Sequence, residues 1–309
     1  MMAVTPAERI LLGLGISDPK DIDVEAIAWS RGAVVECRPL DRCDATIVGS
    51  ARRAVITVNS RGSPERRRFS VGHELGHWHH HRGRILFCAA ADVENPHDGA
   101  LNPERHADAF ASDLILPNYL LHPRLRKIRR VTLAAAREIA EEYQASLTAT
   151  LIKIVQSDQF PLIVVCHSKT KRRWFRRAEA VPGWWFPLEQ LDRESFAADM
   201  LLNGAAEQTW PRKIGAEAWF GFRNCDRYEV EEQSFMLRGD EVLTVLNIPV
   251  TALVKVQDQK PECAMAPVDA HKAALEPLNP RCPLPTLRPV SMAKACQRRK
   301  NAIKIRIPG

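Results

Sequence analysis

Two imidazoles and a carboxylate stand together in His73-Glu74-Leu75-Gly76-His77. Residues four apart on an α-helix lie one above the other on the same face, so His73 and His77 can hold one metal ion. Glu74 is turned to the flank of that face, where it can reach a water at the metal without being a ligand. A catalytic zinc site needs three protein ligands and an open fourth position. The segment Glu104-Arg105-His106-Ala107-Asp108-Ala109-Phe110-Ala111 can supply the third. Glu104 and Asp108 are again four apart. Glu104 would complete the site, and Asp108 could accept the second ring N–H of a ligand histidine and fix its tautomer. The small Ala107 and Ala111 would let this helix approach the first closely.

An N,N,O ligand set suits zinc, although manganese or cobalt could substitute. Zinc lowers the pKa of water from 15.7 to roughly 7. Glu74 would take the proton and later deliver it to a leaving amine. An oxyanion donor is also expected, with Tyr119, His79, His80 and His167 as candidates that the sequence does not rank. After His77 come Trp78-His79-His80-His81. His81 lies near the same face and could touch substrate or metal, although a helix C-terminus also favours a partly charged imidazole.

The elements that must position these groups are readable nearby. Ser63, Pro64 and Glu65 start a helix that runs to about His81, with Gly83 as its stop. Asn102-Pro103-Glu104 repeats the cap-and-proline start for the second helix, which ends before Pro117. Upstream, helices are expected at 5–14 and 21–30, the latter capped by Asp23 and ended by Gly32. Three short strands follow at 33–37, 45–48 and 54–58. Residues 131–142 and 147–157 form a helical pair. From residue 160 the pattern turns to β, at 162–165, 172–177, 235–237 and 242–246, in a region holding five of the 7 tryptophans.

Together these residues resemble the ImmA/IrrE-type metallo-endopeptidases. The likeness rests on Arg68-Phe-Ser-Val-Gly-His-Glu-Leu-Gly-His77, then on Glu104-x-x-Ala107-Asp108-x-Phe110-Ala111-Ser112-x-Leu114-Ile115-Leu116-Pro117, and covers roughly residues 20–157. It implies that His73, His77 and Glu104 hold zinc and that Glu74 is the base. The substrates it implies are helix-turn-helix repressors of mobile elements or stress genes. The fold expected is α+β: a zincin-like core of small sheet and motif helix with a helix-turn-helix-like pair at 131–157, within a first domain at 1–157. A tryptophan-rich mixed α/β domain at 158–255 and a disordered tail at 256–309 would follow. The family core does not account for the three successive histidines or for the tryptophan-rich region.

Composition narrows the alternatives. A hydrophobic fraction of 45% and a charged fraction of 26% suit a chain with a real core. No apolar run approaches the ~18 residues of a membrane span, and the N-terminus has no basic-then-apolar leader, so a cytoplasmic protein is expected. The 8 cysteines are scattered, without a Cys-x-x-Cys pair, which argues against a disulfide scaffold or thiolate zinc cluster. Of the net charge of +7, most lies beyond Val256, where ten basic residues face four acidic ones. Basic character therefore belongs to the proline-rich tail. A DNA-binding or sensory regulator retaining the zincin fold is the alternative. It would use the second helix of the pair, which offers Lys153, two threonines and Gln156 but no Arg or Asn for base reading. Arg124, Arg126, Lys127, Arg129 and Arg130 could contact phosphates, and the basic turn from Lys169 to Arg177 could dock an acidic partner.

Overall fold

A computed structural model of the protein describes residues 4–50, 52–80, 103–237 and 239–257. The fold is α+β. It begins with α1 (Pro6–Gly13), a 3-10 turn, and α2 (Val24–Arg31). Asp23 caps α2 by accepting from the Glu25 and Ala26 amides, both at 3.0 Å. Gly32 ends the helix at φ +97°, and a Cβ there would lie 2.8 Å from the Arg52 carbonyl, so only glycine fits.

Strands β1 (Ala33–Arg38), β2 (Ala45–Gly49) and β3 (Ala54–Asn59) form a small sheet in the order β1-β3-β2. β1 runs parallel to β3, and β2 antiparallel. The period of two sends Ala45, Ile47, Ala54, Ile56 and Val58 inward. Against them packs α3 (Pro64–His80), which carries the motif. Ser63 accepts from the Arg66 amide at its start, and Trp78 near its end donates its indole N–H to the Ser50 carbonyl at 3.1 Å. Helix α3 is therefore capped at its start and tied near its end to the residue that follows β2. His81, Gly83 and Asn102 lie outside the described residues.

Helix α4 (Pro103–Ile115) crosses α3, and α5 (Asn118–Leu125), α6 (Leu133–Glu142) and α7 (Leu147–Gln156) follow. Helix α5, which carries no local start signal in the sequence, begins after Pro117 with no side-chain cap of its own. Glu8 of α1 supplies the acceptor instead, taking the Asn118 and Tyr119 amides at 2.6 and 3.3 Å. It acts as an N-cap delivered from a distant part of the chain.

The expectation for α7 as a base-reading helix fails on burial. Thr150, Leu151, Lys153, Ile154 and Val155 are all buried, leaving Gln156 as its one exposed residue. Lys153 does not face solvent; it pairs with Asp113 of α4 inside the fold. A lysine so desolvated needs its partner, and here the pair ties the helical pair to the metal-site helix. The basic cluster is also partly spoken for: Arg124 bonds Glu138 and Glu142, and Arg130 bonds Glu231.

The second sheet has the order β5-β4-β8-β7-β6, all neighbours antiparallel. Its strands are β4 (Leu162–Ser168), β5 (Arg172–Arg177), β6 (Arg212–Gly215), β7 (Glu229–Leu237) and β8 (Glu241–Asn247), with α8 (Phe196–Asn203) packed on β7 and β8. Buried Glu232 accepts the Phe196 and Ala197 amides and the Trp219 indole, capping α8 from the sheet. Trp185 and Trp219 are core, whereas Trp210 and Trp184 are exposed. In the β4–β5 hairpin, Lys169, Arg172 and Arg173 pair with Asp240, Glu189 and Glu241. One buried apolar cluster runs from Ala7 to Ala252, on both sides of the change of pattern near residue 158. Helix α9 (Val250–Gln257) closes the described chain, and the basic tail beyond it lies outside the described residues.

Candidate metal centre

Glycine and alanine make the site possible. Where α3 meets α4, a Cβ on Gly72 would lie 3.2 Å from Ala111, and one on Gly76 would lie 3.0 Å from Ala107 Cα. The helix backbones approach closely only because neither glycine has a side chain. Ala107 and Ala111 are the small residues expected to permit this approach. Their glycine partners, inside the motif itself, carry no such signal in the sequence. Antiparallel crossing at this point brings one flank of α4 beside the histidine face of α3.

On that flank the donors converge. Glu104 Oε2 lies 3.2 Å from His73 Nε2, and Glu104 Oε1 lies 3.2 Å from His77 Nε2. The two Nε2 atoms are 3.0 Å apart. Among the described residues His73, His77 and Glu104 form the one group of three metal-capable side chains whose donor atoms all fall within 4.8 Å of one another. A tetrahedral zinc with bonds of about 2.0–2.1 Å sets neighbouring donors roughly 3.3 Å apart. The donor set and its spacing therefore fit such an ion. Asp108, one turn beyond Glu104, accepts from His73 Nδ1 at 2.9 Å, which turns Nε2 toward Glu104 and His77.

Charge follows this geometry. Burial opposes charge on His73, but its hydrogen bonds to Asp108 and Glu104 carry its pKa up to about 9. The same two histidines, by hydrogen bonding, hold Glu104 well below the usual carboxylate range. Glu74 behaves differently. It is 4% exposed, and burial pushes its pKa up against the pull of His73 and His77. Its Oε2 is buried without a hydrogen-bond partner among the described residues. A buried carboxylate with an unused oxygen beside two metal-capable imidazoles is available to take a proton.

These shifts set a pH dependence. Without metal, His73 keeps its proton up to about pH 9, so an ion must displace it. Zinc affinity is expected to rise by roughly tenfold per pH unit from 7 toward 9 on this group alone. Competition against a chelator at pH 7, 8 and 9 checks it, and a flat profile would contradict the protonation assigned to His73. In the metal-free protein the sign is opposite. The raised pKa adds stability that is fully present below about pH 6.5 and lost as pH rises through about 9.

Two of the candidate oxyanion donors are engaged elsewhere. Tyr119 donates its hydroxyl to the Ile16 carbonyl at 2.7 Å. His167 is buried in β4, its Nε2 bonded to the Leu188 carbonyl at 3.1 Å. His79 packs on Phe110, and His80 lies beside His106.

Comparison with known proteins agrees with the geometry. Residues 32–155 match the IrrE N-terminal-like domain, Peptidase_M78. That stretch is an ImmA/IrrE-type domain. The IrrE-like domain spans the small sheet, both site helices and nearly all of α7, and leaves the five-stranded sheet outside it. No curated protein matches the sequence. Among solved structures, a Mycobacterium tuberculosis transcriptional regulator superposes with a TM-score of 0.52 at 13% identity, over 82% of this chain and 79% of that one. At that identity the likeness is one of fold. It covers more of the chain than the IrrE-like domain contains, so the shared fold extends into the later region. Among the described residues no helix is long and apolar enough to cross a membrane.

Proposed function

We propose that the chain is a zinc-dependent endopeptidase in which His73, His77 and Glu104 hold the metal, Glu74 is the general base and Asp108 orients His73. The observation that carries this reading is the convergence of three donors beside a buried carboxylate with a free oxygen. Bound there, the ion would supply Lewis acidity, polarising a scissile carbonyl and easing deprotonation of water. Glu74 takes that water's proton and returns it to the amine nitrogen as the peptide bond breaks. Asp108 retains the Nδ1 proton of His73 throughout, so the ring offers only Nε2 to the site. The raised pKa of Glu74, caused by its burial, makes it a better proton acceptor than an exposed carboxylate, which suits the step that takes the proton from water.

The substrate is a protein, and within the ImmA/IrrE resemblance a cytoplasmic helix-turn-helix repressor. The regulator with a related fold supports a setting in transcriptional control. Residues 1–157 would be the catalytic core, 158–255 a module that docks or senses, and 256–309 a basic extension. Co-incubation with the repressor encoded nearest to this chain's gene tests the proposal. Discrete cleavage is expected with added zinc and none after chelation. An intact repressor at full zinc loading would remove that substrate, and identical cleavage after complete metal removal would remove the mechanism.

A further inference from the structure

The same helix crossing carries a second set of imidazoles. His80 is the last residue of α3. His106 lies two residues beyond Glu104, which at about 100° per residue puts it on the far flank of α4 from the metal centre. There the His80 and His106 rings approach with centroids 5.7 Å apart and planes at 38°. Both residues are exposed. From these positions we propose that His80 and His106 form a second, weaker divalent-metal site, for zinc, copper or nickel, at the end of the α3–α4 crossing.

The ring separation is compatible with two ligands to one ion. With metal–nitrogen bonds of about 2.0–2.1 Å, each imidazole centroid stands about 3.2 Å from the ion, so two rings on one ion sit roughly 4.5–6 Å apart. The molecule supplies its own reference: His73 and His77 of the candidate metal centre have centroids 4.6 Å apart. Imidazole selects borderline ions over magnesium or calcium. The rings are also braced. Phe110 packs edge-on against His80, at 6.1 Å, and beneath His79, at 5.2 Å. His79 in turn meets His80 edge-on at 5.2 Å. Rings already restrained by packing lose less freedom when an ion joins them. With two ligands among the described residues instead of three, the site binds more weakly than the His73–His77–Glu104 group. An ion there would tie the last turn of α3 to the first turn of α4, the turns that carry His77 and Glu104.

The site stands independently of the catalytic reading, and the test keeps them apart. The full chain, as wild type, His106→Ala, His80→Ala and His77→Ala, is dialysed against graded Zn2+ and its bound metal counted. Wild type is expected to show a tight and a weaker class. His106→Ala and His80→Ala each lose one equivalent from the weaker class and keep the tight one, whereas His77→Ala does the reverse. Zinc should also raise the thermal midpoint of His77→Ala, and that rise should vanish in His77→Ala/His106→Ala. A weaker class unchanged by both His80→Ala and His106→Ala, or absent from wild type, overturns the proposal. Loss of the tight class alone would count against the catalytic metal centre and not against this site.

Discussion

Glu74→Gln is expected to leave metal binding intact and to reduce peptide cleavage by about 10^2–10^4-fold, the range over which a positioned acid–base group acts. The substitution keeps the shape of the side chain and removes its ability to accept a proton. Glu74 is not one of the converging donors, so metal content should match wild type, whereas His77→Ala and Glu104→Ala should lose metal and activity together. A second readout separates a base from a merely structural carboxylate. Burial raises the pKa of Glu74, so its charge is a liability that grows as pH rises through that pKa. Replacing it with a neutral amide should leave the metal-free protein at least as stable at neutral pH, while activity collapses. That combination, stability kept and catalysis lost, marks a group held under strain for chemistry. Metal-loaded Glu74→Gln that cuts at the wild-type rate would refute the assignment.

Much of this arrangement is legible in the sequence because it is local. Asp23 and Gly32 bracket α2, the alternation in 45–48 and 54–58 marks β2 and β3, and four-residue spacings place His73 with His77 and Glu104 with Asp108. Each rests on neighbours within one or two turns. What escapes a sequence reading depends on partners far along the chain. Lys153 sits among apolar residues on α7 and reads as a surface cation, yet its partner Asp113 is 40 residues away. Helix α5 is capped by Glu8, 110 residues upstream of Asn118. Strand order in the second sheet is likewise nonlocal, with β4 lying between β5 and β8. The tryptophans divide between core and surface for the same reason, since nothing local distinguishes buried Trp185 from half-exposed Trp184. The glycines of the motif are visible but mute, because their role exists only once α4 is laid across them.

That role yields the second large effect. In an exposed helix interior, replacing glycine with alanine gains roughly 1 kcal/mol. At Gly76 the sign should reverse. The added Cβ would meet Ala107 Cα and Phe110 Cβ at 3.0 Å and the Ala107 carbonyl at 3.2 Å. Two of these are backbone atoms of a packed helix and cannot rotate aside. Overpacking of this kind costs about 1–3 kcal/mol, so Gly76→Ala should be destabilised and Gly76→Val more so. The damage also reaches the metal, because Glu104 rides on the same helix one turn before Ala107. Pushing α4 away moves the carboxylate from both histidines, and each ~1.4 kcal/mol of lost ligation is a tenfold loss of affinity. Gly13, at the end of α1, has nothing within 4 Å of an added Cβ and serves as the control. Denaturant titration and chelator competition should show Gly76→Ala less stable and weaker for zinc, with Gly13→Ala unchanged in metal affinity. Were Gly76→Ala to match wild type in both, the close crossing of α3 and α4 would not be what holds Glu104 against the histidines.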